Sequence, residues 1–121
     1  MMRIMTVGNH IAILGQLGKE LSEIFPEGEI IQQTDALMAG KYAFNHRVDI
    51  VFAEADMKRM NGLQIIRFVR HEHPNVKSFL IGSKNNLFNM LLDISEDVTG
   101  VLAYPFAKDE IKGALQNADT I

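Results

Sequence analysis

Residues 48–62, VDIVFAEADMKRMNG, decide how the rest of the chain is read. Ile50, Val51, Phe52 and Ala53 form a continuous apolar run, the pattern of a strand covered on both faces in a parallel sheet. Glu54 and Asp56 follow at its carboxyl end, and Asn61-Gly62 reads as a turn that closes the loop. In open α/β sheets ligands bind in the crevice beyond the carboxyl ends of the strands, so these two carboxylates are the first candidates for a site.

Working outward, the chain alternates between two periods. Ile4 to Val7 is a short apolar run stopped by Gly8-Asn9, a first strand. Ile11, Leu14, Leu17, Leu21 and Ile24 then recur at helical spacing until Pro26 and Gly28 end the helix. Glu29 to Gln32 reads as an edge-like second strand with only Ile30 and Ile31 as apolar content. Thr34-Asp35 offers an N-cap to a second helix containing Leu37, Met38, Lys41, Tyr42 and Phe44, with Gly40 costing about 1 kcal/mol of helix propensity. Beyond the opening stretch, Leu63, Ile66, Val69 and Arg70 mark a third helix closed by Pro74. Ser78 to Ile81 is the fourth strand, and Leu87 to Ile94 a short helix apolar over much of its surface. Val101 and Leu102 form the last strand, broken by Tyr104-Pro105-Phe106. Ile111, Ala114, Leu115 and Ala118 line a final helix, with Asp109 and Glu110 suited to its first turn through the helix dipole.

Five β-α units with helices of crossover length predict a doubly wound α/β sandwich, flavodoxin-like (βα)5, with a five-stranded parallel sheet in the order 2-1-3-4-5 and helices on both faces. That order brings Gly8, Asn9 and His10 beside Glu54, Asp56 and the ends of strands four and five. The length of 121 residues, 47% of them hydrophobic, suits one domain, 1–121, with a single sizeable core. The net charge of −3 and pI near 5.7 argue against direct nucleic-acid contact, which asks for a basic face. The absence of cysteine excludes a disulfide framework and thiolate metal sites. Without an apolar leader or a spanning segment, a cytoplasmic setting with no membrane contact is expected.

From Arg3 to about Leu115 the chain resembles the receiver domain of bacterial two-component response regulators, the CheY-like family. The resemblance rests on VDIVFAEADMKRMNG, with its Met60-Asn61-Gly62 ending, and on Tyr104-Pro105-Phe106 against a Lys-Pro-Phe segment. It implies an acceptor aspartate after strand three, a divalent cation held by an acidic pair after strand one, and a hydroxyl and a lysine on the phosphoryl oxygens. At the corresponding positions stand Glu54 for the acceptor, Gly8 and Asn9 for the acidic pair, Gly82 for the hydroxyl with Ser83 next to it, and Tyr104 for the lysine. Val101 occupies the place of the aromatic switch residue. The Asp56 carbonyl, a metal ligand in the family, is retained as backbone. Losing one preorganised stabilising group costs phosphoryl transfer about 10²–10³ in rate, and several are missing together. The expectation is a degenerate pseudo-receiver with no catalytic residue, no resident metal and no cofactor.

Three readings of Glu54 stand side by side: a solvated carboxylate bonded to a backbone N–H or to the Tyr104 hydroxyl, a fixed charge in the place of an aspartyl phosphate, or a cation ligand with Asp56 and His10. His46, His71 and His73 fall at helix C-terminal ends, where an imidazole caps or meets the dipole. Lys58, Arg59, Arg67, Arg70 and Lys77 form either a basic patch or a solvated face. No nucleophilic triad, phosphate-cradling loop or zinc set is present.

The expected function is a non-catalytic signalling or regulatory module of two-component type that acts through protein–protein contact. Its partner or second copy would meet the face formed by helix four, strand five and helix five, with Leu87, Phe88, Met90, Leu91, Tyr104, Phe106 and Lys108 as the candidate residues. The competing expectations are a receiver phosphorylated on Glu54 or Asp56, and the regulatory part of a transcription factor whose DNA-binding domain is absent.

Overall fold

The computed structural model describes residues 1–57, 59–94 and 96–121. Five strands, β1 (Arg3–Val7), β2 (Glu29–Gln33), β3 (Ile50–Glu54), β4 (Lys77–Gly82) and β5 (Gly100–Ala103), alternate with α1 (Ile11–Ile24), α2 (Ala36–Asn45), α3 (Gly62–Glu72), α4 (Lys84–Asn89) and α5 (Lys108–Asn117). All pairings are parallel and the strand order is β2-β1-β3-β4-β5, the flavodoxin-like arrangement expected from the sequence.

Every residue of β3 is buried, which is why its apolar run does not alternate. Its side chains divide between two cores. Val51 and Ala53 join Met5, Val7, Leu80 and the inner faces of α2 and α3; Ile50 and Phe52 join Ile4, Phe79, Ile81 and the inner faces of α1 and α5. Phe52 and Phe79 stack across neighbouring strands with ring centroids 4.8 Å apart. Because β1 is flanked by β2 on one side and β3 on the other, the connections leaving β1 and β3 run to opposite faces of the sheet and part above their carboxyl ends. The crevice lies there.

Several local expectations are corrected. Asn61-Gly62 is the start of α3, not a turn: the Asn61 side chain accepts from Gln64 N and the Gln64 side chain accepts from Asn61 N, a reciprocal cap. In α2 the inward face is Ala36, Ala39 and Ala43, while Leu37, Met38 and Phe44 point outward, because alanines at helical spacing let α2 approach closely. Asp35 is the cap, accepting from Leu37 N and Met38 N. Ile11 lies outside the buried stripe of α1, which is Leu14, Leu17 and Leu21. The fourth helix begins earlier and ends sooner than 87–94: Ser83 caps it at Lys84 and it stops at Asn89, so Met90 to Asp93 continue as turns.

His46 and His73 are the C-cap residues of α2 and α3, and His71 lies in the last turn of α3, as their positions suggest. Arg67 and Arg70 form no free basic patch. Both pair with Asp97 at 3.7 and 3.4 Å and donate to the carbonyls of Asp93 and Glu96, tying α3 to the loop before β5. Lys58 lies outside the described residues. Among the described residues no helix is long and apolar enough to cross a membrane.

Candidate functional site

The ends of β1, β3, β4 and β5 carry Gly8-Asn9-His10, Glu54-Ala55-Asp56, Gly82-Ser83 and Tyr104. The sheet order brings together the positions that the sequence singles out. Their geometry keeps the backbone N–H bond of the first reading of Glu54 but not its solvation.

Glu54 is not solvated. It retains only 1% of its exposure, and both carboxylate oxygens are turned to His10: Oε1 accepts from the His10 backbone N–H at 3.0 Å and Oε2 lies 2.7 Å from His10 Nδ1. With the carboxylate ionised, Nδ1–H is the donor of that second bond. His10 is the N-cap residue of α1, and neither its own side chain nor any acid in the first turn serves that helix end. Glu54 supplies the missing anion from the neighbouring strand, where unpaired N–H groups and the helix dipole favour negative charge.

Gly8 makes this arrangement possible. A β-carbon on residue 8 would lie closer than 3.0 Å to Oε1, Cδ and Cγ of Glu54, so any side chain there competes with the glutamate for one space. The extra methylene of glutamate is thus accommodated sideways, over the end of β1. Gly62 has a comparable role below it: a β-carbon would collide with the Glu54 backbone carbonyl, and the Gly62 N–H donates to Ala55 O at 3.3 Å.

The remaining positions are committed to local bonds. Asn9 Nδ2 donates to the Asp56 carbonyl at 3.4 Å, so that carbonyl is already engaged, while the Asp56 side chain is exposed. Ser83 Oγ accepts from Asn86 N at 3.1 Å as the cap of α4. At Gly82 a β-carbon would stand 3.3 Å from Ala55 Cβ and from Leu87, tighter than most side chains tolerate. Tyr104 donates its backbone N–H to Gly82 O, and its ring lies 5.9 Å from the His10 ring. Burial raises the Tyr104 phenol above the ordinary tyrosine value, the charges of Glu54 and Asp56 add to the rise, and a bond with the Ser83 backbone opposes it. Among the described residues no group of three or more His, Asp or Glu side chains converges to hold a metal ion.

The candidate contact face is also redrawn. Leu87 and Phe106 are buried, Met90 is packed against the core, and Lys108 is drawn to Glu23 of α1 at 2.6 Å. Phe88 and Leu91 are exposed as expected, Leu92 is fully exposed, and Val101 on the edge strand β5 is half-exposed. Leu92 was missed because the helical period does not continue past Asn89. The role of Gly8 was missed too; the signal available was a long residue at 54 facing the smallest residue at 8.

No protein-family model matches the chain, nor does any curated protein. Solved structures do. The signal receiver domain of an HD domain-containing protein of Pseudomonas fluorescens Pf-5 is 23% identical, with a TM-score of 0.83 over 97% of this chain and 85% of that one. The response regulator TrrA of Thermotoga maritima, solved with Mg²⁺ and BeF, is 24% identical, with a TM-score of 0.81 over 98% of this chain and 99% of that one. NtrX of Brucella abortus, solved with ATP, is 21% identical with a TM-score of 0.83, and the match spans 98% of this chain but 27% of that one. The chain shares the fold of response regulator receiver domains.

Proposed function

We propose that this chain is a non-catalytic signalling module, a pseudo-receiver that acts by protein–protein contact without aspartyl phosphorylation. The observation that carries this reading is the closed Glu54: a carboxylate that is 1% exposed, lies over Gly8 and gives both oxygens to His10. To attack a phosphoryl group it would have to abandon both bonds and the end of α1. Nothing compensates that loss, because Gly8 and Asn9 bring no carboxylate and Tyr104 no cation. The receiver names of the similar structures support the signalling class.

Phe88, Leu91, Leu92 and Val101 are the apolar groups most available to a partner on the α4–β5 side. Their role is the output half of the proposal.

Incubation of the chain with acetyl phosphate and Mg²⁺, followed by intact-mass measurement, tests the first half. An unchanged mass is expected. A gain of one phosphoryl group, mapped to Glu54 or to the exposed Asp56, would replace the pseudo-receiver by a receiver with an unorthodox acceptor.

A further inference from the structure

The alanine face of α2 leaves its large side chains on the far side, and two of them, Leu37 and Phe44, share one concavity. Leu37 and Phe44 of α2, Phe68 of α3 and Met60 of the preceding loop surround one cleft between the two helices, with a volume of about 330 Å³. Gly40 forms part of its wall. A β-carbon there would meet the Phe68 ring only at 3.6 Å, so glycine widens the cleft without being demanded by the backbone. Isolated exposed apolar residues need no explanation, but several around one concavity do.

The charge of the lining is one-sided. Lys41 is its only charged residue, it forms no ion pair among the described residues, and α2 contains no acid from end to end. The nearby Asn45 amide is occupied with the Lys41 carbonyl at 2.8 Å. A largely apolar cavity with one cationic group and one amide is the ordinary form of a small-molecule site, and this volume falls at the lower end of the roughly 300–1,000 Å³ such sites span.

We propose that the α2–α3 cleft binds a compact amphipathic anion, an aromatic or branched apolar body between Phe44 and Phe68 with its carboxylate or other anionic group at Lys41. The site is separate from the Glu54 crevice and does not depend on whether that crevice is phosphorylated. Its occupant is defined by volume and charge: apolar enough to displace water from the rings, small enough for the cleft, and negative at one end.

The test uses the full chain, isotopically labelled for amide NMR, titrated with 1-naphthylacetate and separately with its neutral amide. The expected result is saturable shifts centred on Gly40, Lys41, Phe44 and Phe68, with the anion bound about fivefold more tightly than the amide, the size of one surface charge contact. Lys41→Gln is expected to erase that difference while leaving the apolar contribution, and Gly40→Leu to abolish binding of both compounds. Shifts that do not saturate, shifts elsewhere on the molecule, or equal binding of anion and amide by the unmodified chain would overturn the proposal. So would shifts at these residues that grow with protein concentration alone, which would assign the cleft to a second copy. Lys41→Gln alters an exposed side chain, so the charge test stands even if Gly40→Leu fails to fold.

Discussion

Gly8 and Glu54 interlock: the side chain that residue 8 lacks would occupy the space taken by the Glu54 carboxylate. An acid at position 8 is therefore expected to destabilise the chain by about 2–4 kcal/mol, through overlap and the approach of two buried carboxylates. Shortening the partner should relieve much of that cost. In urea unfolding, Gly8→Asp with Glu54→Asp is expected to be more stable than the sum of the two single changes by at least about 1 kcal/mol. Strict additivity would mean that the two residues do not share a space.

His10 is the only residue bonded to both oxygens of Glu54 among the described residues. His10→Ala removes the side-chain partner and leaves a buried carboxylate with a backbone N–H alone, at an expected cost of about 1.5–3 kcal/mol. The same substitution in a Glu54→Gln background should cost less, because the group left behind is neutral. Equal losses in both backgrounds, measured by denaturant midpoint at neutral pH, would detach His10 from Glu54.

Tyr104 and Tyr42 are the two tyrosines of the chain, and both phenols are raised in the folded state, chiefly by burial. A raised phenol means that the folded chain holds its proton where the unfolded chain, near pH 10, has begun to lose it. Stability from this source is complete below about pH 10 and falls as pH climbs from there through the folded value. Tyrosinate absorbance should show both groups titrating late. Glu54→Gln is expected to bring Tyr104 back toward the ordinary value, since the Glu54 charge is the second cause of its shift; a Tyr104 titration unmoved by that change would remove the electrostatic link between β3 and β5.

Two helical glycines are open to simple stabilisation. A β-carbon at Gly15 of α1 or Gly113 of α5 would meet nothing within 4 Å. Gly15→Ala and Gly113→Ala are each expected to add about 0.5–1 kcal/mol by helix propensity, and because the two sites lie on different helices their effects should sum. Thermal unfolding of the single and double variants checks both the sign and the additivity.

The path of the chain was legible wherever burial enforced a period. Ile50 to Ala53 reads as a doubly covered strand because the same residues must satisfy two cores, and Leu14, Leu17 and Leu21 read as a helix because one face meets the sheet. Residues 87–94 were misjudged because Met90 and Ile94 are held by packing against the core and by isolated turn bonds after the regular helix has ended at Asn89. Alanines concealed the inner face of α2: they bury little each, so the larger Leu37 and Phe44 dominate the sequence pattern while standing outside. At the crevice, the identities at 8, 9, 54, 82 and 104 were enough to cast doubt on conventional chemistry. They did not reveal that Glu54 turns toward α1, since that direction depends on the space at Gly8 and on the free helix end at His10.

The closed carboxylate also limits the order in which its surroundings can change. From the present arrangement, an acid introduced first at position 8 meets the glutamate, and shortening the glutamate first draws its oxygens away from the His10 N–H and Nδ1 at the start of α1. Either change made alone loses stability. Positions 8 and 54 are therefore bound to change together, and the start of α1, which leans on the Glu54 carboxylate through His10, holds both of them in place.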